Sequence, residues 1–426
     1  MNKRTKTALR RWCLYGWTLA KWTMAASAIG VVCGLIGTMF HFGVHEVTAF
    51  RGTHPWVLYL LPLAGFVIVS FYKLTETDGL GTDDIIDAVH EGKRLPILLL
   101  PAIFFGTVLT HLCGGSAGRE GAALQMGGTI GQCMGRTFRL DDRDLRVATL
   151  AGMAAFFSAL FGTPLAATVF AIMVISIGVL YHVALYPSLL AALVAYGVSV
   201  RLGVEPTRFT VAVPDQSVGM FVRVAALGVL CALVSILFCK LMHGAGHLMK
   251  RIKNPWLRVI CGGFAVIALT WVFGTDYNGA GMDIVTRAIE QETVAVPWAF
   301  LLKLVFTAVT LAAGFKGGEV VPSFFVGATF GCAVSPLLGL PVGFGAAIGL
   351  AAVFCGVTNC PVASTLLAVE LFGAEGMLYF ALACCLSYML SGYQGLYSSQ
   401  TILYSKLKAQ FINVHTNAYH AGENKD

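Results

Sequence analysis

The stretch Gly114-Gly115-Ser116-Ala117-Gly118-Arg119-Glu120-Gly121 lies between two apolar segments. Its glycines let the backbone approach a ligand closely, because they carry no side chain. Free N–H groups at the start of a helix, together with the helix dipole, favour a bound anion. The stretch therefore predicts an anion site at a helix start, and we expect Gly118 and Arg119 to belong to it.

Glu120 places an acidic side chain at the same helix start. A charged carboxylate can occupy an anion site itself and leave that site when it takes up a proton, so this one residue could couple anion movement to proton movement. A structural role is equally compatible with the sequence, because the carboxylate could simply cap the helix or pair with Arg119. Both interpretations stay open at this point.

The composition around this stretch is that of a membrane protein. The chain has 426 residues, of which 57% are hydrophobic and only 12% are charged, whereas soluble chains carry about 25% charged residues. This composition argues against a water-soluble enzyme. Apolar runs such as 23–43 and 55–72 are long enough to cross a hydrocarbon core of about 30 Å as helices. We expect an all-α polytopic membrane protein with the lipid bilayer as its environment.

The net charge of +7 is concentrated in short clusters beside apolar runs, such as Lys3 to Arg11 and Lys250 to Lys253. Such clusters are retained on the cytoplasmic side, so residues 1–20 are expected to form a cytoplasmic basic segment and nucleic-acid binding is not expected. The twelve cysteines are scattered without the spacing of a zinc site. No metal and no cofactor is predicted.

The chain repeats itself at an offset close to 200 residues, in three collinear blocks. The paired blocks are 79–83 with 279–283, 127–131 with 327–331, and 152–168 with 349–365. The repeat predicts two homologous halves, 21–215 and 216–405, followed by a short polar tail, 406–426. Loop 90–94 contains Lys93 and Arg94 while loop 290–294 contains no basic residue, which favours halves of inverted topology.

A second glycine-rich helix start, Gly314 to Pro322, has the same design as the first, and Gly317-Gly318-Glu319 aligns with Gly118-Arg119-Glu120. Broken helices at membrane depth are tolerated where they line a cavity, and in inverted-repeat transporters they converge on one central site. Glu319 has a structural alternative as well, in which its carboxylate bonds a nearby N–H group and stabilises the loop.

At these residues the chain resembles the CLC family of anion channels and transporters, over about residues 20–405. The resemblance is carried by Gly118-Arg119-Glu120-Gly121-Ala122 and by a tyrosine in Gly395-Leu396-Tyr397-Ser398-Ser399. It implies a CLC-type fold of two inverted repeats with broken and re-entrant helices. It also implies a homodimer in the bacterial cytoplasmic membrane, with both termini inside and a separate pathway in each subunit.

The resemblance also assigns roles to single residues. Glu120 is implied to be the gating and proton-coupling glutamate. The central anion is implied to be held by the Thr82 and Tyr397 hydroxyls and by the backbone N–H groups of Glu319 and Val320. Gly81 and Val321, which adjoin these residues in the two motifs, are accessory candidates.

The sequence departs from the usual family pattern in ways similar to the bacterial fluoride-exporting branch. Ala122 stands in place of a motif proline, Gly317 to Pro322 replaces Gly-x-Phe-x-Pro, and 172–175 contains no acid where chloride/proton exchangers have a proton-transfer glutamate. The expected function is halide transport, with fluoride export coupled to proton exchange. The alternatives are a chloride-selective transporter and a passive chloride channel gated by Glu120.

Selectivity is the point that the sequence leaves open. The family's first motif is of the Gly-x-Gly type and falls near 79–82 in this chain. Fluoride-branch members usually have Met or Asn at its anion-site position and chloride members have Ser, but this chain has Thr82, or Leu80 if Gly79-Leu80-Gly81 is taken as the motif. Phe324 and Phe325 could present positive ring edges to an anion or could only pack. Lys316 could attract anions or extend to the membrane interface.

Two unrelated functions are disfavoured. A membrane enzyme would need a nucleophile or a metal beside Glu120 and His111, and the sequence clusters neither. A cation transporter would suit an intramembrane carboxylate, but two glycine-rich helix starts present N–H groups that favour anions. The acids Asp83, Asp84 and Asp87 are expected to form a solvated helix start.

Overall fold

The fold is a bundle of membrane helices with one small sheet. The computed structural model describes residues 3–293, 296–408 and 410–417. Within these residues the chain forms sixteen α-helices: α1 (Lys3–Thr53), α2 (Leu61–Leu74), α3 (Thr82–Glu91), α4 (Leu99–Leu112), α5 (Glu120–Thr137), α6 (Asp142–Phe161), α7 (Pro164–Met173), α8 (Leu185–Arg201), α9 (Val218–Met249), α10 (Pro255–Phe273), α11 (Met282–Glu290), α12 (Ala299–Ala313), α13 (Val320–Leu338), α14 (Val342–Thr358), α15 (Pro361–Phe372) and α16 (Met377–Leu390).

Seven helical spans of the described chain are long and apolar enough to cross a membrane, judged by length and composition. Six further apolar helices have 10–17 residues, and 17 residues is the lower end of what a full crossing requires. The mixture of full-length and short helices matches the all-α polytopic fold with broken helices that the sequence predicts.

The helices differ from the hydropathy pattern in two places. The apolar run 147–175 is divided into α6 and α7, because Gly162 ends α6 in the left-handed region (φ 68°) and Pro164 begins α7. Glycine after a helix and proline at its first position are the usual signals for such a break. The first helix is longer than the apolar run 23–43, since α1 begins at Lys3 and includes most of the basic segment.

Close helix crossings recur at equivalent positions along the chain. A methyl group on Gly127 would lie 2.3 Å from the carbonyl oxygen of Gly152, and one on Gly327 would lie 2.3 Å from that of Gly349. Only glycine permits backbones to approach so closely. The crossing of α5 with α6 is therefore repeated by the crossing of α13 with α14, in register with the sequence repeat.

A three-stranded sheet joins the C-terminal segment to the helices. Its strands are β1 (Ser176–Ile177), β2 (Thr401–Tyr404) and β3 (Phe411–His415). The central strand β2 pairs in parallel with β1 and antiparallel with β3. Part of the predicted polar tail is thus an ordered strand beside the loop that carries Tyr397.

Candidate anion pathway

The two glycine-rich loops meet at one point. Gly118 and Gly318 form an antiparallel bridge in which the N–H group of each donates to the carbonyl oxygen of the other, both at 2.7 Å. The bridge places the start of α5 beside the start of α13. Because the free N–H groups at a helix start attract negative charge, two such starts at one point form an environment for an anion.

Glu120 is the first residue of α5 and its side chain is fully buried. Its Oε2 accepts a hydrogen bond from the backbone N–H of Arg119 at 2.9 Å, and its Oε1 lies 3.6 Å from Arg119 Nε. Among the described residues, Oε1 has no hydrogen-bond partner. The carboxylate thus has one hydrogen bond and one loose ion pair, both with Arg119, and one of its oxygens remains free for another partner.

Glu120 lines a cavity of about 470 Å³, called here the Glu120 cavity. Its ionisable side chains are three arginines, three histidines and, besides Glu120 itself, two aspartates: Arg51, Arg119, Arg287, His41, His45, His111, Asp276 and Asp283. When Glu120 is protonated, the three arginines outnumber the two aspartates, and this excess of positive charge favours an anion in the cavity.

A second cavity of about 260 Å³, called here the Tyr397 cavity, is lined by Thr82, Lys316, Glu319 and Tyr397. The Tyr397 hydroxyl is buried and has no partner in the described part of the chain. The Thr82 hydroxyl accepts a hydrogen bond from Gln125 Nε2 at 3.0 Å, so its own hydrogen is available for another acceptor. Both hydroxyls can therefore donate to an anion.

The two cavities approach the glycine bridge from different ends of α2. Leu58, which precedes α2, lines the Glu120 cavity, and Tyr72, near the end of α2, lines the Tyr397 cavity. The fourteen residues of α2 span about 21 Å. The start of α13 contacts both spaces, since Glu319 lines the Tyr397 cavity and Val321 lines the Glu120 cavity. Val320 is buried between them.

The first-motif region has the expected residues at the site but more tertiary contacts than predicted. Gly81, Thr82 and Leu80 all line the Tyr397 cavity, so both alignments of the motif place a residue there. Asp83 is not simply a solvated helix start, because its Oδ1 accepts a hydrogen bond from the backbone N–H of Ser399 at 3.0 Å. Asp84 caps α3 through the N–H of Gly81 at 2.9 Å.

The accessory candidates divide into two kinds. Lys316 is half-buried, lines the Tyr397 cavity and places Nζ 4.1 Å from the centre of the Tyr72 ring. Phe324 packs on Phe354 with ring centres 5.1 Å apart. Phe325 lies against Lys303 Nζ at 5.2 Å. Neither phenylalanine is among the described residues that line the two cavities, and both serve packing here.

The sequence matches the voltage-gated chloride channel family over residues 63–392. The chain belongs to this CLC family. A CLC relative from Pseudomonas syringae pv. tomato, a chloride/fluoride channel protein, is 39% identical over 91% of this chain and 88% of the relative. A CLC protein from Vibrio vulnificus, an H(+)/Cl(-) exchange transporter, is 25% identical over 87% of this chain and 86% of the relative.

Solved CLC structures have the same fold. The crystal structure of a CLC-type fluoride/proton antiporter superimposes with a TM-score of 0.88 and 32% sequence identity, over 91% of this chain and 99% of that one. The structure of a slow cyanobacterial Cl-/H+ antiporter superimposes with a TM-score of 0.76 at 19% identity, over 87% and 94% of the two chains. The second likeness concerns the fold alone.

Sequence reasoning missed several residues that shape the site. Gln125, His41 and Thr416 were not singled out, although they contact Thr82, Arg119 and the Tyr397 backbone respectively. The partners of these contacts are 19 to 78 positions apart. Only Gln125 had an accessible signal, since it is a polar residue one turn and a half into an otherwise small and apolar helix start.

Proposed function

We propose that the protein is a fluoride/proton antiporter of the CLC family. The observation that carries the proposal is the buried Glu120 carboxylate, which lies at the paired helix starts and lines one of the two cavities that meet there. The likeness of the chain to a CLC-type fluoride/proton antiporter and to a chloride/fluoride channel protein supports fluoride as the anion. In this proposal the chain is a transporter and not an enzyme, with a halide ion and protons as its cargo.

The proposed cycle alternates the Glu120 carboxylate with the transported anion. Ionised Glu120 occupies the anion site at the start of α5, beside Gly118 and Arg119. Protonation removes its charge, so the carboxyl group leaves the helix start and an anion replaces it. Deprotonation returns the carboxylate and displaces the anion. One proton is thereby exchanged against the anion movement at each turn of the cycle.

The Tyr397 cavity is the proposed central anion site. The hydroxyls of Thr82 and Tyr397 and the backbone N–H groups of Glu319 and Val320 are its proposed donors. Fluoride holds its water tightly and needs strong donors to replace that shell. The unpartnered Tyr397 hydroxyl and the Thr82 hydroxyl oriented by Gln125 are donors of this kind.

A second candidate function is chloride-selective transport, and one observation favours it. Thr82 supplies a hydroxyl where fluoride-branch members usually have Met or Asn, and this hydroxyl lines the Tyr397 cavity. Chloride accepts weaker and more polarisable contacts, so the same donors can serve it. The choice between the two ions requires a flux measurement.

The test is anion efflux from liposomes that contain the purified protein. Fluoride-selective and chloride-selective electrodes are read in parallel while pH is monitored. Fluoride efflux at least about tenfold faster than chloride, with opposing proton movement, supports the antiporter; a factor of ten corresponds to about 1.4 kcal/mol of discrimination. Chloride efflux as fast as fluoride would move the chain to the second candidate, and anion efflux without proton movement would identify a passive channel.

The organisation of the protein is part of the same proposal. The halves 21–215 and 216–405 are proposed to be inverted repeats, which the bridge between Gly118 and Gly318 and the repeated glycine crossings support. The protein is proposed to act as a homodimer in the bacterial cytoplasmic membrane, with residues 1–20 and 406–426 inside. Its basic N-terminal segment supports this orientation. A cysteine-accessibility assay at each terminus tests it.

A further inference from the structure

His41 holds the guanidinium group that adjoins Glu120. The Nη1 of Arg119 lies 3.0 Å from His41 Nδ1. A guanidinium group can only donate hydrogen bonds, so His41 Nδ1 is the acceptor and carries no proton. His41 lies on α1, 79 positions before Glu120, and lines the Glu120 cavity with it.

The same guanidinium makes only a loose ion pair with the carboxylate. Arg119 Nε is 3.6 Å from Glu120 Oε1, which is beyond hydrogen-bond distance, and Oε1 is left without a partner among the described atoms. A buried carboxylate next to a free guanidinium would be expected to form a close, charge-assisted bond. The anchor on His41 accounts for the gap, because it draws Nη1 toward α1.

We infer that His41 is a positioning residue for proton uptake, which keeps the ion pair between Arg119 and Glu120 loose. This inference rests on the proposed role of Glu120. A tight pair in this buried place would hold the carboxylate ionised and bound to the helix start. A loose pair leaves Oε1 able to accept a proton, after which the carboxyl group can leave the anion site. His41 thus influences the reaction through Arg119 without touching the anion.

Several charged groups share the cavity with His41 and must be considered in any pH measurement. His45, one turn further along α1, stacks on His41 with ring centres 6.4 Å apart and planes at 6°. Arg119 faces His41 from the loop before α5. The other charged or titratable groups of the cavity come from α1, from the end of α4, and from α11 and its preceding loop: Arg51, His111, Asp276, Asp283 and Arg287.

The substitutions that test the inference keep, move or remove the atom that accepts the hydrogen bond from Arg119. His41→Asn puts an amide oxygen near the position of Nδ1 and keeps the bond to Arg119. His41→Gln has the same amide group but puts its oxygen near the position of Nε2, so the bond is lost. His41→Leu leaves no acceptor at either ring-nitrogen position. His45→Leu is the matched control, because His45 lines the same cavity but does not contact Arg119.

The experiment measures the pH dependence of fluoride-driven proton transport by the full chain in liposomes. We expect His41→Leu and His41→Gln to move the midpoint toward acid by about one pH unit, because a close opposite charge favours the ionised carboxylate by about that amount or more. His41→Asn and His45→Leu should keep the midpoint of the parent chain. If His41→Leu does not fold, the contrast between Asn and Gln at this position decides the matter.

A midpoint unchanged in His41→Gln would overturn the inference, and so would equal shifts in the Asn and Gln variants. Glu120→Gln, measured in parallel, separates this failure from failure of the proposed function. If Glu120→Gln still exchanges protons, the role of Glu120 is wrong and the inference fails with it. If Glu120→Gln is uncoupled while His41→Gln behaves as the parent chain, only the role of His41 is wrong.

Discussion

Gly118 and Gly318, which lie in the corresponding glycine-rich loops of the two halves, exchange two hydrogen bonds of 2.7 Å. A reciprocal bridge between residues 200 positions apart places a local two-fold axis between them. The starts of α5 and α13 are therefore fixed to each other by backbone atoms alone. Side chains take no part in the bridge, so the residues next to it can differ between the two cavities. Glu120 and Val321 line the Glu120 cavity, and Glu319 lines the Tyr397 cavity.

Replacing Gly318 by alanine should destabilise the protein. Its added methyl group would lie 2.2 Å from the backbone nitrogen of Gly121, and backbone at a bridge cannot move aside cheaply. We expect a loss of about 1–3 kcal/mol in the free energy of unfolding, seen as a lower midpoint of thermal unfolding in detergent. Gly197→Ala is the control, because its methyl group would meet no described atom within 4 Å. Equal midpoints for both variants would contradict the close packing of the bridge.

Replacing Gly118 by alanine should act on Glu120 instead. The added methyl group would lie 2.5 Å from Glu120 Oε2, whereas its nearest backbone contact, the carbonyl oxygen of Gly318, would be 3.1 Å away. The closest clash is therefore with a side-chain carboxylate, which can move away where backbone cannot. We expect a folded protein in which the carboxylate is displaced from the helix start, so that anion flux rises and fewer protons move per anion. Parallel electrode and pH recordings measure the ratio. A parental ratio in Gly118→Ala would show that the carboxylate does not control coupling from this position.

Tyr397→Phe should lower anion affinity without lowering stability. The hydroxyl has no partner in the described structure, so its loss should change the free energy of unfolding by no more than about 0.5 kcal/mol. A hydrogen bond to a charged group contributes about 1.5–3 kcal/mol, so the apparent fluoride affinity should fall by about tenfold or more. Flux measured against fluoride concentration gives the affinity.

Tyr379→Phe provides the opposite control. Its hydroxyl donates to the carbonyl oxygen of Asp215 at 2.9 Å and Tyr379 lines neither cavity among the described residues. This variant should lose about 1 kcal/mol of stability and keep its fluoride affinity. If the two tyrosine variants lose affinity equally, the hydroxyl of Tyr397 has no special part in binding.

Much of the fold could be predicted because the helices carry their own signals. Apolar length predicts the long membrane helices, and the paired motifs predict that Glu120 and Glu319 begin corresponding helices. The sheet could not be predicted in this way. Strand β1 has two residues, and its partner in β2 lies 225 positions away, as in the pair Ser176 and Thr401, so local sequence contains no evidence of the pairing.

The same distinction applies to the site. Glu120, Thr82 and Tyr397 could be proposed from motifs, because each lies in a short and recognisable pattern. Asp83 was misjudged, since the acids at a helix start look solvated and the N–H group that Asp83 accepts from belongs to Ser399, 316 positions later. A polar residue near a motif is held in place by contacts with distant segments of the chain. A single sequence does not show which distant segments come together.

Thr416→Val tests whether the C-terminal segment that contains the strand β3 positions Tyr397. Thr416 directly follows β3, and its Oγ1 lies 2.6 Å from the carbonyl oxygen of Tyr397 and 2.9 Å from that of Gln400, so its one hydrogen can be donated to either. We expect the loss of about 1 kcal/mol of stability, together with a changed ratio of fluoride to chloride flux. Thr18→Val is the control, because Thr18 is exposed and bonds only the helix carbonyl of Leu14. An unchanged flux ratio in Thr416→Val would restrict the strand to a structural role.

The role of Glu120 in proton coupling is tested by proton movement in Glu120→Gln. Glutamine keeps the size and hydrogen-bonding capacity of the side chain but cannot exchange a proton in this pH range. Purified protein in liposomes is given a fluoride gradient while internal pH and external fluoride are recorded together. We expect fluoride to move and proton movement to be abolished. Fluoride movement with the proton coupling of the parent chain would show that Glu120 does not couple the two.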